Sequence, residues 1–134
     1  MKRILIVDDE PHVIRVMRMA LENAGYHVDD ACNGLQAMEY LQNHHPDVMI
    51  TDIDMPCIDG RELCMQVKQN MPDRRFHIYV LTSRAEDEHR EWSSTIDNLD
   101  FLEKPVSIRR LVAALKELFA ATANDGRQSC QSAR

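Results

Sequence analysis

Short apolar runs that each end in a polar side chain constrain the fold of this chain most. The first run, residues 4–7, leads into the adjacent carboxylates Asp8 and Asp9. A second run, residues 48–51, leads into Asp52, and a third, residues 78–81, leads into Thr82. Runs of this length and composition are typical of strands buried on both faces of a parallel sheet. Ligands bind at the carboxyl ends of such strands, where we expect these polar side chains to meet.

Amphipathic helical patterns separate these strands. Helices are expected from Pro11 to Ala24, after Gly34, after Gly60, over residues 85–98 and over the apolar stripe at 108–119, and short strands are expected at 27–31 and 99–102. The stretch 85–98 has only a thin stripe, Ala85, Trp92 and Ile96 with His89 between them, so we expect a marginal, mobile helix there. The alternation predicts an α/β fold with a doubly wound parallel sheet and five βα units.

Size and composition favour one domain. The chain has 134 residues, and we expect a folded body over residues 1–121 followed by a polar tail or the start of a linker over residues 122–134. The net charge of −6 and the lack of a long basic run argue against direct nucleic-acid binding. No apolar stretch approaches the ~18 residues of a membrane span, so a cytoplasmic protein without membrane contact is expected. The four cysteines form no CxxC pair, which predicts reduced thiols and no zinc site.

The residue types at the predicted strand ends suit phosphoryl chemistry. Asp8, Asp9 and Asp52 supply the hard oxygen ligands that Mg²⁺ prefers. An aspartate can attack phosphorus and form an aspartyl phosphate when the charge on the transferred group is neutralised. Lys104 supplies a positive charge after the fifth strand, and Thr82 supplies a hydroxyl donor. Each residue alone has a structural explanation, such as a helix cap or a solvated charge, but their joint placement at strand ends favours a phosphoryl-binding site.

Four motifs, taken with their spacing, are those of one known family. They are Ile6-Val7-Asp8-Asp9-Glu10-Pro11, Asp52-Ile53-Asp54-Met55-Pro56 with Asp59-Gly60, Val80-Leu81-Thr82-Ser83, and Phe101-Leu102-Glu103-Lys104-Pro105. Over about residues 2–121 the chain resembles the receiver domains of two-component response regulators. The resemblance implies a flavodoxin-like fold with strand order 2-1-3-4-5 and five helices. It also implies a signalling domain, not an enzyme that turns over a substrate.

The resemblance assigns a role to each residue of the predicted site. Asp52 would accept a phosphoryl group from a sensor histidine kinase or a phosphotransfer protein. Mg²⁺ would be bound by Asp8, Asp9, Asp52 and the carbonyl of Asp54. Thr82 and Lys104 would bind phosphoryl oxygens, Thr82 and Phe101 would act as the switch, and the Lys104–Pro105 peptide would be cis.

The expected output of this family involves another protein or domain. Phosphorylation would change the face built by the fourth helix, fifth strand and fifth helix. That face would be recognised by a downstream effector or a covalently linked output domain. Phosphorylation-dependent pairing with a second copy of the chain is compatible with the resemblance.

The chain departs from the family pattern at a few positions. Ser83 replaces a small alanine after the threonine, and Asp97-Asn98 replaces a Gly-Ala pair before the fifth strand. Asn and Asp tolerate the left-handed conformation better than other non-glycine residues, so we expect the turn to persist. We also expect the opposite charges of Asp54 and Arg84 to flank the entrance to the phosphoryl group.

Two alternative functions use the same residues. Asp52-Ile53-Asp54 is also the DxD pattern of haloacid-dehalogenase-like phosphohydrolases, although there the pattern follows the first strand and the chain is longer. A receiver that has lost phosphorylation and serves only as a binding module is the other alternative. Such domains usually lack an acid, the threonine or the lysine, whereas this chain has all of them.

Overall fold

Five strands alternate with five helices in the computed structural model, which describes residues 1–83 and 89–132 and, for residues 122–132, the backbone alone. The elements are β1 (Arg3–Val7), α1 (Pro11–Asn23), β2 (His27–Ala31), α2 (Gly34–Asn43), β3 (Val48–Asp52), α3 (Gly60–Asn70), β4 (His77–Thr82), α4 (Arg90–Ser93), β5 (Leu99–Glu103) and α5 (Ile108–Ser132). The strands form one sheet in the order β2-β1-β3-β4-β5, and all four pairings are parallel. The predicted doubly wound α/β fold and its strand order are confirmed.

The sheet separates two apolar cores because successive side chains of a strand point to opposite faces. In β1, Leu5 and Val7 belong to one core, and Ile4 and Ile6 belong to the other. The first core is covered by α2, α3 and the region around α4, and the second is covered by α1 and α5. The central strand β3 is buried along its whole length, which explains its uninterrupted apolar sequence.

Local signals place the ends of the helices. The Asn33 side chain accepts a hydrogen bond from the Gln36 amide at 2.8 Å, which caps α2. Asp59 caps α3 in the same way through the Glu62 amide, also at 2.8 Å. Gly25 has a φ of 100°, so the turn that follows α1 uses a conformation that glycine adopts without strain.

The fourth helix is shorter in the described part of the chain than the sequence predicts. Residues 84–88, including Ala85 and Arg84, lie outside the described residues, and α4 covers only Arg90–Ser93. Beyond it, the Ser94 and Thr95 hydroxyls donate to backbone carbonyls three residues earlier, both at 3.1 Å. Such local bonds compete with helix continuation. Asn98 has a φ of 55°, so the predicted left-handed turn before β5 is present.

The carboxyl-terminal segment, expected as a polar tail or the start of a linker, continues α5 in the described backbone. The backbone of α5 stays helical as far as Ser132, although residues 122–134 are polar and lack apolar periodicity. No proline follows Pro105, so nothing in the backbone chemistry of this segment interrupts the helical hydrogen bonds. The domain boundary at residue 121 remains a prediction. None of the described helices is long and apolar enough to cross a membrane.

Candidate functional site

The carboxyl edge of the sheet brings Asp8, Asp9 and Asp52 together. Val7 pairs with Thr51 in the register of β1 and β3, so the acids that follow these two residues lie side by side. Carboxylate oxygens of the three aspartates lie within 4.8 Å of one another. Asp8 and Asp52 are only 3% and 5% exposed, while Asp9 is exposed. The strand-end prediction therefore places these three residues correctly.

The electrostatics of this cluster favour a bound cation. Burial raises the pKa of Asp8 and the neighbouring Asp52 charge raises it further, although a hydrogen bond from the Glu10 amide opposes both effects. Like charges in a buried site repel, and a cation bound between them removes the repulsion. Three carboxylates with one side open to solvent also match the donor set of Mg²⁺, which binds few carboxylates and keeps several waters. The residues present therefore fit a magnesium ion.

Lys104 forms an ion pair with Asp52 across the same edge of the sheet. The Lys104 ammonium contacts Oδ1 of Asp52, and the Ile53 amide donates to that same oxygen at 3.0 Å. The Lys104 amide donates to the Thr82 carbonyl at 2.8 Å, which ties the lysine to the end of β4. The Lys104–Pro105 peptide is cis, as the resemblance implies. Both donors that the structure describes on the Asp52 carboxylate thus use Oδ1.

Asp54 is not part of the group of three carboxylates found among the described residues. It follows β3 in the loop that leads to α3, and its side chain is exposed. Its carbonyl oxygen, not its side chain, is the expected metal ligand. Arg84, its expected ionic partner, lies outside the described residues.

The predicted switch residues Thr82 and Phe101 lie on either side of a histidine. The Thr82 hydroxyl is 3.0 Å from Nε2 of His89, and the His89 and Phe101 rings stack with centroids 5.1 Å apart. The Trp92 indole donates to Nδ1 of His89 at 3.3 Å and meets the Phe101 ring edge-on. The sequence pattern places His89 within the thin apolar stripe and does not indicate its polar contacts. Its spacing of three residues from Trp92 was the available signal, because side chains at i and i+3 face the same way on a helix.

Comparisons with known proteins agree with this geometry. Residues 4–116 match the family described as the response regulator receiver domain. The response regulator MprA of Mycobacterium sp. (strain KMS) is 34% identical over 123 residues, which cover 92% of this chain and 53% of the relative. The alkaline phosphatase synthesis transcriptional regulatory protein PhoP of Bacillus subtilis (strain 168) is 32% identical over 117 residues, which cover 87% of this chain and 48% of the relative. The chain thus spans about half the length of these curated relatives.

Solved structures of response regulators resemble this chain both in fold and in sequence. The response regulator TrrA of Thermotoga maritima, in complex with Mg²⁺ and BeF, has a TM-score of 0.75 at 31% identity, with 88% of this chain and 99% of that chain covered. The chemotaxis protein CheY4 of Vibrio cholerae has a TM-score of 0.80 at 27% identity, with 87% and 98% covered. The family match spans most of the chain, so the phosphohydrolase alternative is rejected as its family. The chain belongs to the response regulator receiver domains of two-component signalling systems.

Proposed function

We propose that Asp52 is the phosphoryl acceptor of this receiver domain and that phosphorylation requires Mg²⁺. The observation that carries the proposal is the cluster of carboxylate oxygens of Asp8, Asp9 and Asp52 within 4.8 Å of one another, with the Lys104 ammonium paired to Asp52. Two members, Asp8 and Asp52, are buried, and Asp52 is the one that forms the described ion pair with the lysine. The arrangement supports a nucleophile whose surroundings are ready to neutralise a phosphoryl group.

The proposed reaction transfers a phosphoryl group from a phosphohistidine to Asp52. Oδ2 of Asp52 is the attacking oxygen in this proposal, because Lys104 and the Ile53 amide both contact Oδ1. The new bond joins Oδ2 to phosphorus, the phosphorus–nitrogen bond of the donor breaks, and the released imidazole takes up a proton. The product is an aspartyl phosphate on this chain.

Each surrounding residue has a defined part in this proposal. Asp8, Asp9, Asp52 and the carbonyl of Asp54 hold Mg²⁺, which supplies positive charge to the phosphoryl oxygens when bound. Lys104 moves from the carboxylate to a phosphoryl oxygen, and the Thr82 hydroxyl donates to another. Thr82 and Phe101 then act as the switch that changes the α4-β5-α5 face.

An open groove beside Asp52 supports a protein as the phosphoryl donor. The groove has a volume of about 610 Å³ and lies between α1 and the segment that links β5 to α5. Its lining includes Val13 and Val16 of α1, Val106 and Ile108 around the start of α5, and the side chains of Asp52 and Lys104. We propose that a sensor histidine kinase or a phosphotransfer protein binds here.

We propose a downstream effector or a covalently linked output domain as the output partner; the curated relatives are about twice as long as the part that this chain matches. Phosphorylation-dependent pairing of two copies through the α4-β5-α5 face is part of the same proposal. The proposed location is the cytoplasm. The free thiols of Cys32, Cys57 and Cys64 among the described cysteines suit a reducing compartment.

Labelling with acetyl phosphate tests the proposal and its alternative, a receiver that only binds partners. The chain should gain the mass of one phosphoryl group when Mg²⁺ is present, and none when EDTA replaces it. Asp52→Asn should remove the gain, because the amide is a poor nucleophile. Asp73→Asn is the matched control, since Asp73 is exposed and precedes β4 at the opposite edge of the sheet. Equal labelling of Asp52→Asn and the parent would show that Asp52 is not the acceptor.

A further inference from the structure

His89 connects the two proposed switch residues and is itself almost fully buried. The residue is 5% exposed, and each of its two ring nitrogens contacts a different hydrogen-bond partner. Nε2 is 3.0 Å from the Thr82 hydroxyl oxygen, and Nδ1 is 3.3 Å from the Trp92 indole nitrogen. One ring face stacks on Phe101 at an interplanar angle of 16°.

The Trp92 contact determines where the His89 proton lies. An indole N–H can only donate, so Nδ1 of His89 must present its lone pair to Trp92. A neutral imidazole with a free Nδ1 carries its proton on Nε2, whereas a protonated ring would direct an N–H at the indole N–H. Nε2 of His89 therefore donates to the Thr82 hydroxyl.

This direction of the hydrogen bond fixes the role of the Thr82 hydroxyl. Its oxygen accepts from His89, so its own hydrogen must point elsewhere. Thr82 follows Leu81, which is the register partner of Asp52 in the neighbouring strand. A hydroxyl that accepts one hydrogen bond is also a stronger donor of the next, because the two bonds polarise each other.

We propose that His89 is a positioning residue that orients the Thr82 hydroxyl as a donor to the phosphoryl group on Asp52. This role rests on the proposed function, in which Thr82 binds a phosphoryl oxygen. The stacked ring also links any displacement of Thr82 to Phe101 and Trp92, because His89 contacts all three residues. The link is a property of this chain's own sequence, since it needs a histidine seven residues after the threonine and a tryptophan three residues later.

Two amide substitutions separate the hydrogen bond to Thr82 from the other contacts of His89. His89→Gln places an amide nitrogen at the same number of bonds from Cβ as Nε2, and so keeps the donor to Thr82. His89→Asn places an amide oxygen at the position of Nδ1, and so keeps only the acceptor for Trp92. The stack on Phe101 is lost in both variants, which makes them a matched pair.

The rate of Asp52 labelling by acetyl phosphate with Mg²⁺ is the functional readout. His89→Asn should lower the rate constant about three- to tenfold, the range expected for one net hydrogen bond, while His89→Gln should stay within about twofold of the parent. In a Thr82→Ala background, His89→Asn should change the rate by less than about twofold, because the residue through which His89 acts is absent. Equal losses in the Asn and Gln variants, or a further loss in the Thr82→Ala background, would overturn the positioning role.

A spectroscopic measurement on the parent needs neither labelling nor a stable variant at His89. The ¹⁵N shifts of the His89 ring in the full chain should show a neutral imidazole with its proton on Nε2. Thr82→Val, which removes the hydroxyl and keeps the shape, should shift the Nε2 resonance more than the Nδ1 resonance. A proton on Nδ1 would overturn the proposal even if His89→Asn failed to fold. An unlabelled parent would overturn the proposed function and this role together, whereas a labelled parent with equal Asn and Gln variants overturns the role of His89 alone.

Discussion

At the scale of single residues, the backbone that carries Asp52 depends on a position without a side chain. Gly60 is the first residue of α3, and its amide donates to the Ile53 carbonyl at 2.8 Å. A Cβ atom at Gly60 would lie 2.3 Å from the Asp52 carbonyl oxygen and 2.8 Å from Cα of Ile53. Both neighbours are backbone and cannot rotate away as a side chain can. The close approach of α3 to the end of β3 therefore requires glycine.

We predict that Gly60→Ala disturbs the site as well as the stability. The substitution should lower the free energy of unfolding by about 1–3 kcal/mol, the usual cost of overpacking, and should slow acetyl phosphate labelling because the Asp52 backbone is displaced. Urea denaturation and intact mass measure the two effects. Gly34→Ala is the matched control, since its Cβ would meet the Ile58 side chain at 2.8 Å and not the Asp52 backbone. It should lose stability but keep its labelling rate, so equal slowing in both variants would contradict this explanation.

At the scale of the elements, the neighbouring strands β4 and β5 are joined near their amino-terminal ends by a histidine–aspartate contact that depends on pH. Nε2 of His77 lies 2.9 Å from the Asp100 carboxylate, and the His77 ring packs on Tyr79 with centroids 4.8 Å apart. The His77 side chain is 14% exposed and that of Asp100 is 66% exposed. Burial lowers the pKa of His77 from its ordinary value, although the charge of Asp100 opposes this effect. The folded chain therefore disfavours the protonated ring.

The direction of that shift predicts how stability depends on pH. A histidine whose pKa is lower in the folded state binds a proton more readily when unfolded. The contribution of neutral His77 to the free energy of unfolding is therefore fully present above the unfolded pKa of about 6.5. It is lost as the pH falls through the folded pKa. Urea titrations from pH 8 to pH 5 should show less decline for His77→Gln than for the parent. Asp100→Asn, which removes the opposing charge, should make the decline steeper, and identical profiles for all three proteins would contradict the assignment.

The elements also show which parts of the fold can be predicted from sequence. The strands β3 and β4 could be predicted because each is a buried apolar run that ends in a polar residue. Parallel pairing then brings those polar residues to one edge of the sheet. The point at which α4 ends could not be predicted, because the Ser94 and Thr95 hydroxyls donate to backbone carbonyls only in the folded turn. The helical continuation of α5 to Ser132 was not part of the prediction, because polarity indicates exposure and does not distinguish a helical backbone from an irregular one.

At the scale of the whole molecule, the cluster Asp8, Asp9 and Asp52 could be predicted because its members follow neighbouring strands. The contacts of His89 could not, because they join residues on β4, α4 and β5 whose mutual distances depend on packing. The φ of 68° at Cys57 was equally inaccessible, since cysteine has no preference for the left-handed region. Sequence thus indicates which residues share an edge, and side-chain packing determines which of them touch.

The two faces of the sheet predict how a phosphoryl group on Asp52 would affect the rest of the chain. α1 is anchored by the buried residues Met17 and Leu21 and packs against α5, whereas Phe101 packs against the core on the other face of the sheet. The described part of the fourth helix spans four residues and is anchored by Trp92, whose indole bonds to His89. A short element with few anchors is the one that a small bias in free energy can shift.

Hydrogen exchange with and without acetyl phosphate and Mg²⁺ should therefore show a graded response. Amide protection should change most over residues 89–104 and least in α1, because Thr82 reaches Phe101 through His89 while α1 lies against the opposite core. Asp52→Asn, treated identically, controls for effects of the reagent and of Mg²⁺ on the unphosphorylated chain. Changes confined to the loop around Asp52 would mean that the signal stops at the site, and changes spread evenly would indicate global stabilisation instead of a switch. Either pattern would contradict transmission through the α4-β5-α5 face, since that mechanism needs one part of the fold to move relative to a fixed remainder.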